Sequence, residues 1–299
     1  MLQTNTSEQV VPIRAADLAK PGLPRKKSTL KDWWIYILLT LGLLVMVVPF
    51  IWMILSSLKG NAELSQVPPT WLPQAPTWSN YSKLFIQLNF PIYFLNSIIL
   101  GVSVTVLNLI FCSMLGYALA KLKFRGKTAL FGLVLTTIMI PASVTLVPLF
   151  VLMSKMGLTN NLLAVILPEA AGGIGVFLMR QFMQGIPDEL LDAGRVDGAG
   201  EFYLFWRLVL PLCGPALATL TILQFLASWN DFTYPLIMLN NDQSYNLPVA
   251  LATFANGPHI SDNGLLLAGA VVIVIPMLIV FFLLQRYFTQ GIVTTGLKG

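Results

Sequence analysis

WWIYILLTLGLLVMVVPFIWMILS, Trp33–Ser56, is an apolar run without a charged residue. A helix needs about 20 mostly apolar residues to cross the roughly 30 Å hydrocarbon layer, so this run reads as a membrane span. A polar, basic tail, residues 1–32, precedes it and no small-residue cleavage site follows, so it reads as retained rather than as a secretory signal. Five more runs of similar character follow: Ile98–Ala120, Thr128–Leu152, Asn161–Phe182, Leu208–Leu226 and Leu265–Leu284. The expected fold is all-α, a polytopic membrane protein with six transmembrane helices over 33–286.

Composition agrees. The 299 residues are 56% apolar and 10% charged, with mean hydropathy +0.75, whereas soluble domains average roughly 25% charged residues. That excludes a soluble enzyme. Of the 18 Lys and Arg, 15 fall in the N-terminal tail, the second and fourth connections and the C-terminal tail, leaving Lys59, Lys83 and Lys155 on the other side. The positive-inside rule then places both termini in the cytoplasm. The net charge of +5 follows from this asymmetry and carries no implication of nucleic acid. Cys112 and Cys213 lie in apolar runs, and His259 is the single histidine, so neither a disulfide framework nor a metal site is expected. Gly126-Lys127-Thr128 imitates a phosphate loop, but Lys121 stands where that motif needs its first glycine. The cluster Lys121–Lys127 reads instead as a cytoplasmic anchor. No catalytic constellation can be assembled on one side of the membrane.

Several spans carry breakers: Pro141 and Pro148 in the third, and Pro168-Glu169 with Gly172, Gly173 and Gly175 in the fourth. Such breaks are tolerated at membrane depth where protein or water satisfies the freed backbone, which implies a cavity or a close helix contact. Glu169 is the one carboxylate well inside a span, and it reads either as a functional group or as a buried structural partner. Asn108, Glu169, Asn230 and Asp231 are the candidates for a translocation path. A self-contained secondary transporter would use Glu169 for ion coupling.

The fourth connection, residues 185–207, is unlike a passive turn. It holds five of the 13 acidic residues, Asp188, Glu189, Asp192, Asp197 and Glu201. Pro187 suits the first turn of a helix, Asp188 and Glu189 favour its positive end, and Leu190, Leu191 and Ala193 give it a small apolar face. Gly198 and Gly200 permit a sharp turn. A short amphipathic helix on the cytoplasmic surface is expected, suited to docking in a groove of a soluble partner.

The run Glu189-Leu190-Leu191-Asp192-Ala193-Gly194-Arg195-Val196-Asp197-Gly198-Ala199, followed by Leu208-Val209-Leu210-Pro211, resembles the EAA loop of permease subunits of ATP-binding-cassette importers. The family pattern is E-A-A, three residues, G, nine residues, an aliphatic residue, one more, then L-P. Asp192 and Gly194 replace its Glu and second Ala, while the spacing through Gly198 to Pro211 is kept. The ending Gln285–Gly291 and Gly296–Gly299 is similar to the tail of maltose-permease-like subunits of carbohydrate importers. The resemblance implies a type I importer permease in the bacterial cytoplasmic membrane, moving a sugar, with a phosphorylated polyol as the alternative cargo. It implies a second homologous permease, in a heterodimer, two copies of a cytoplasmic ATPase and an extracytoplasmic solute-binding protein. ATP and Mg belong to the ATPase, and this chain binds no cofactor of its own. On the same ground Glu189, Leu190, Leu191, Asp192, Ala193, Gly194, Arg195, Asp197, Gly198 and Ala199 are the coupling element. Gln290, Gly291, Lys298 and Gly299, in the tail 287–299, would reach the ATPase. Two outer loops are expected, over about 57–94 and 228–264. In the second, Asn240, Asn241, Asp242, Tyr245 and Asn246 are the candidates for contact with the binding protein.

Overall fold

The computed structural model describes residues 33–87, 89–255 and 262–295. It divides into two units, up to Phe50 and from Ile51 onward. In the first unit Trp33–Phe50 is helical with every side chain exposed, belonging to helix α1 (Trp33–Ser57), and Pro49 is accommodated within that helix. The tail 1–32, His259 and the predicted contacts Lys298 and Gly299 lie outside the described residues.

The second unit is built from helices and their connections among the described residues. The first predicted outer loop is folded, with α2 (Asn61–Leu64) and α3 (Ser79–Gln87). Asn80 ties it down by donating to the carbonyls of Ser57 and Lys59, at 2.7 and 2.8 Å. The next helix, α4 (Phe90–Lys121), starts eight residues before the predicted span, with Pro91 in its first turn where no N–H is missed. That shortens the first outer loop at its C-terminal end.

Two predicted spans are bent. α5 (Lys127–Met139) meets α6 (Ala142–Lys155) at 102°, because Pro141 holds extended backbone between them. α10 (Glu201–Leu212), which contains a π-helical stretch at Leu204–Val209, meets α11 (Gly214–Trp229) at 81°. The fourth predicted span is α7 (Leu163–Glu169) and α8 (Gly173–Gln184), interrupted at 170–172. Pro148 and Pro168 lie inside α6 and α7, so these two breaks fall at Pro141 and at 170–172 rather than at every proline. Among the described residues four helical spans are long and apolar enough to cross a membrane, or up to six with each bent pair taken as one span.

Short elements follow: α12 (Thr233–Met238), a single 3₁₀ turn at Asp242–Ser244 and α13 (Leu247–Ala255). The last helix, α14 (Asn263–Thr295), contains Gln290 and Gly291. α4 lies at the centre, packed on α8 and α11. Where α4 meets α8 the backbones come close because glycines remove the side chains. A Cβ at Gly116 would lie 2.7 Å from Met179 Cβ and 3.0 Å from Arg180 N, and one at Gly175 would lie 2.7 Å from Cys112 Sγ. Small residues at helix contacts are the usual solution where lipid offers no hydrophobic drive for helix association.

Candidate functional site

The fourth connection forms the predicted surface helix, α9 (Asp188–Val196), with Pro187 at its N-cap position. Asp188 and Glu189 fall in the first turn and Arg195 in the last, matching the helix dipole at both ends. Its C-terminus is closed by a Schellman arrangement: Gly198 N donates to Arg195 O and Ala199 N to Gly194 O, both at 3.0 Å. Gly198 occupies the left-handed region at φ +82°, where other residues are strained. Leu191, 1% exposed, plugs α9 into a cluster with Tyr117, Met183 and Phe205. Leu191 therefore anchors the helix and is not available as a docking contact.

Beside α9 lies an open groove of about 750 Å³, lined by Leu190, Ala193, Gly194, Asp197, Gly198 and Ala199 on one side and by Tyr203, Leu204 and Arg207 on the other. The structure thus brings six of the ten predicted coupling residues to one surface. Glu189 is exposed beside it, while Asp192 and Arg195 pair with each other at 2.7 Å.

The sequence reading missed what holds α9 in place. Lys121, in the cluster read as a cytoplasmic anchor, has a side chain only 4% exposed. Its Nζ donates to Ile186 O at 2.5 Å and to Asp188 Oδ1 at 2.6 Å, because burial beside the α9 N-terminus leaves those acceptors as its partners. The Lys121 ammonium, by this hydrogen bond, holds the Asp188 carboxyl below the usual carboxylate range. A lowered carboxyl favours the paired state above its ordinary pKa, so the link weakens only as acid protonates Asp188. At the other end of α9, Arg195 Nε donates to Glu201 Oε1 at 2.8 Å, and Tyr117 Oη donates to Glu201 Oε2 at 2.6 Å. The signal available in the sequence was the Tyr117/Lys121 pair, one helical turn apart on α4. Lys127, from the same supposed anchor, caps α4 by donating to the carbonyls of Ala120 and Leu122 at 3.0 and 2.9 Å.

Three of the four path candidates converge. Asn108, 1% exposed, donates from Nδ2 to the backbone carbonyl of Glu169 at 3.1 Å, satisfying the end of α7 where that span breaks. The side chains of Glu169 and Asp231 face one another. Asp231 Oδ1 accepts from Thr233 N at 3.0 Å at the start of α12, and its Oδ2 is buried without a donor. Asn230 stands apart, since its Nδ2 donates back to Leu226 O within its own helix at 2.8 Å.

In the second predicted outer loop Asn240, Asn241 and Asp242 are exposed and Tyr245 is half-buried. Asn246 is a different case. At 1% exposure it donates to Asp231 O at 2.8 Å and accepts from Val249 N at 3.2 Å, so it braces the loop from inside and offers no surface to a partner.

The family described as the binding-protein-dependent transport system inner membrane component matches residues 112–294. The chain belongs to that family. The arabinooligosaccharides transport system permease protein AraQ of Halalkalibacterium halodurans is 39% identical over 284 residues, covering 93% of this chain and 100% of that one. The lactose transport system permease protein LacG of Rhizobium radiobacter is 28% identical, covering 86% and 93%. Among solved structures, a chain of a bacterial ABC transporter involved in the import of the acidic polysaccharide alginate superimposes with a TM-score of 0.76 at 26% identity, covering 87% of this chain and 98% of that one.

Proposed function

We propose that this chain is a transmembrane permease subunit of an ATP-driven importer for a sugar, an oligosaccharide in particular. The observation that carries the reading is α9. An acidic surface helix with EAA spacing, fixed to a membrane-spanning core and flanked by an open groove, has no use in a self-sufficient carrier. In a multi-subunit importer it is where a cytoplasmic ATPase docks. The full-length similarity to an arabinooligosaccharide permease supports the cargo class.

On this reading six spans place both termini in the cytoplasm, and the chain pairs with a second permease around a path. Two ATPase subunits carry ATP and Mg, and a binding protein delivers sugar outside. ATP-driven closure of the ATPases moves α9 and switches the path between inward- and outward-facing states, a two-state change biased from both sides of the membrane. Glu169 and Asp231 offer sugar hydroxyls hydrogen-bonding groups at the broken span, while the buried Asn108 holds the Glu169 backbone there. Glu169→Gln is expected to lower sugar uptake about tenfold, the scale of one charged hydrogen bond, in complexes that still assemble and hydrolyse ATP. Unchanged uptake would assign Glu169 to packing.

The deciding experiment is to tag the chain at native expression, extract it in mild detergent and identify its companions by mass spectrometry. A second permease and an ATPase bearing phosphate-loop motifs in fixed ratio are expected. A chain that purifies alone and transports in liposomes without ATP overturns the proposal.

A further inference from the structure

The segment proposed to meet the binding protein and the helix proposed to meet the ATPase are fastened to opposite ends of the same helix. At the outer end of α4, Tyr93 Oη donates to Asp242 Oδ1 at 2.6 Å. One turn on, Asn96 Nδ2 donates to the carbonyls of Gln243 and Tyr245, at 2.9 and 3.0 Å, and Ser97 Oγ accepts from Leu247 N at 2.8 Å. At the inner end Tyr117 holds Glu201, which holds Arg195, and Lys121 holds Asp188. Both tyrosines are buried, 4% and 5% exposed, so neither hydroxyl has water as a ready substitute for its carboxylate.

Between these attachments α4 is continuous. It contains no proline after its first turn, whereas the two spans packed most closely on it break at 170–172 and at Cys213. From Tyr93 to Tyr117 the helix covers roughly 36 Å at 1.5 Å per residue, more than the thickness of the hydrocarbon layer. Its inner carbonyls are held as well, with Arg180 Nε donating to Leu119 O at 3.2 Å and Lys127 to Ala120 and Leu122. Displacing either end of a continuous helix fixed in this way displaces the other, while the bent spans can absorb motion at their breaks.

We propose that α4 is the strut linking the outer segment 240–247 to the coupling helix α9, with Tyr93 and Tyr117 as positioning residues at its two ends. The proposal rests on the importer reading and adds to it the element that joins the two sides. Linkage requires the coupling to be reciprocal, so it can be driven from the ATPase side and read on the outer side.

The test uses the whole complex, purified with its native companions and placed in lipid nanodiscs. Hydrogen exchange of the amides in 240–247 is compared with and without trapping by Mg-ATP and vanadate. In the wild-type complex trapping is expected to change exchange in this segment. Tyr117→Phe, altering only the far end of the strut, is expected to shrink that response about fivefold, the scale of one hydrogen bond, with untrapped exchange in 240–247 unchanged. Tyr93→Phe is expected to shrink it similarly, and it carries the test alone if the Tyr117 variant fails to assemble. A wild-type complex without a response, or variants that respond like wild type, would overturn the strut. A complex that contains no ATPase activity overturns the importer reading instead, and shows it before any exchange is measured.

Discussion

Replacing Gly116 by Leu is expected to remove the chain from assembled complexes. A Cβ at this position would lie 2.7 Å from Met179 Cβ, 3.0 Å from Arg180 N and 3.2 Å from Met179 C, so two of the three obstacles are backbone of α8. Backbone inside a packed helix pair cannot step aside as a side-chain end can. Accommodating a leucine means separating α4 from α8 and opening the cluster that Met179 and Met183, both 0% exposed, fill between them. Overpacking a core costs about 1–3 kcal/mol, and more where backbone must move, against a total stability of about 5–15 kcal/mol. The measurement is recovery of the tagged chain and its companions from membranes, with thermal melting of what is recovered. Gly132→Leu on α5, where a Cβ would meet nothing within 4 Å, is the matched control and is expected to assemble normally. Wild-type recovery and melting for the Gly116 variant would mean that α4 and α8 do not need this close approach.

Much of this architecture was legible because membrane solvent imposes long apolar runs, and α1 and α4 stand where such runs stand. The surface helix was legible for a different reason. Pro187, the acidic first turn, Arg195 and Gly198 are local signals, and each does locally what its chemistry dictates. Bends were harder. Pro141 breaks a span while Pro148, seven residues later, lies inside α6, so the presence of a proline alone does not locate the bend. The spacing of Tyr117 and Lys121 puts them on one face of α4 but does not name their acceptors, because Ile186 O, Asp188 and Glu201 are 65 to 84 residues away in the chain. A basic cluster after a span has the composition of an interfacial anchor, and composition does not reveal which lysine turns inward. Asn246 was misjudged on similar grounds. It sits in a polar outer run, yet one member of such a run must supply the inward hydrogen bonds that hold the loop.

The Gly198 series is expected to order transport by tolerance of positive φ. At φ +82° Gly198 closes α9 and turns the chain toward α10, and a Cβ there would meet nothing within 4 Å. Space is therefore no obstacle, and the backbone conformation alone decides the outcome. Asn visits the left-handed region most readily after glycine, alanine pays about 1–2 kcal/mol, and a β-branched valine is a genuine outlier there. The expected order of sugar uptake is Gly, then Asn, then Ala, then Val, with valine losing about tenfold or more, since 1.4 kcal/mol is a factor of ten. The loss should be one of coupling rather than of folding, because Leu191 and the Lys121 and Glu201 links still hold α9 to the core. In the valine variant the complex is expected to assemble while substrate-stimulated ATP hydrolysis falls with transport. If valine transports as well as glycine, the Schellman turn does not set the docking geometry. If instead the asparagine variant is as damaged as valine, the requirement at 198 is for the absence of a side chain facing the ATPase, and the groove beside α9 rather than the turn is what the partner reads.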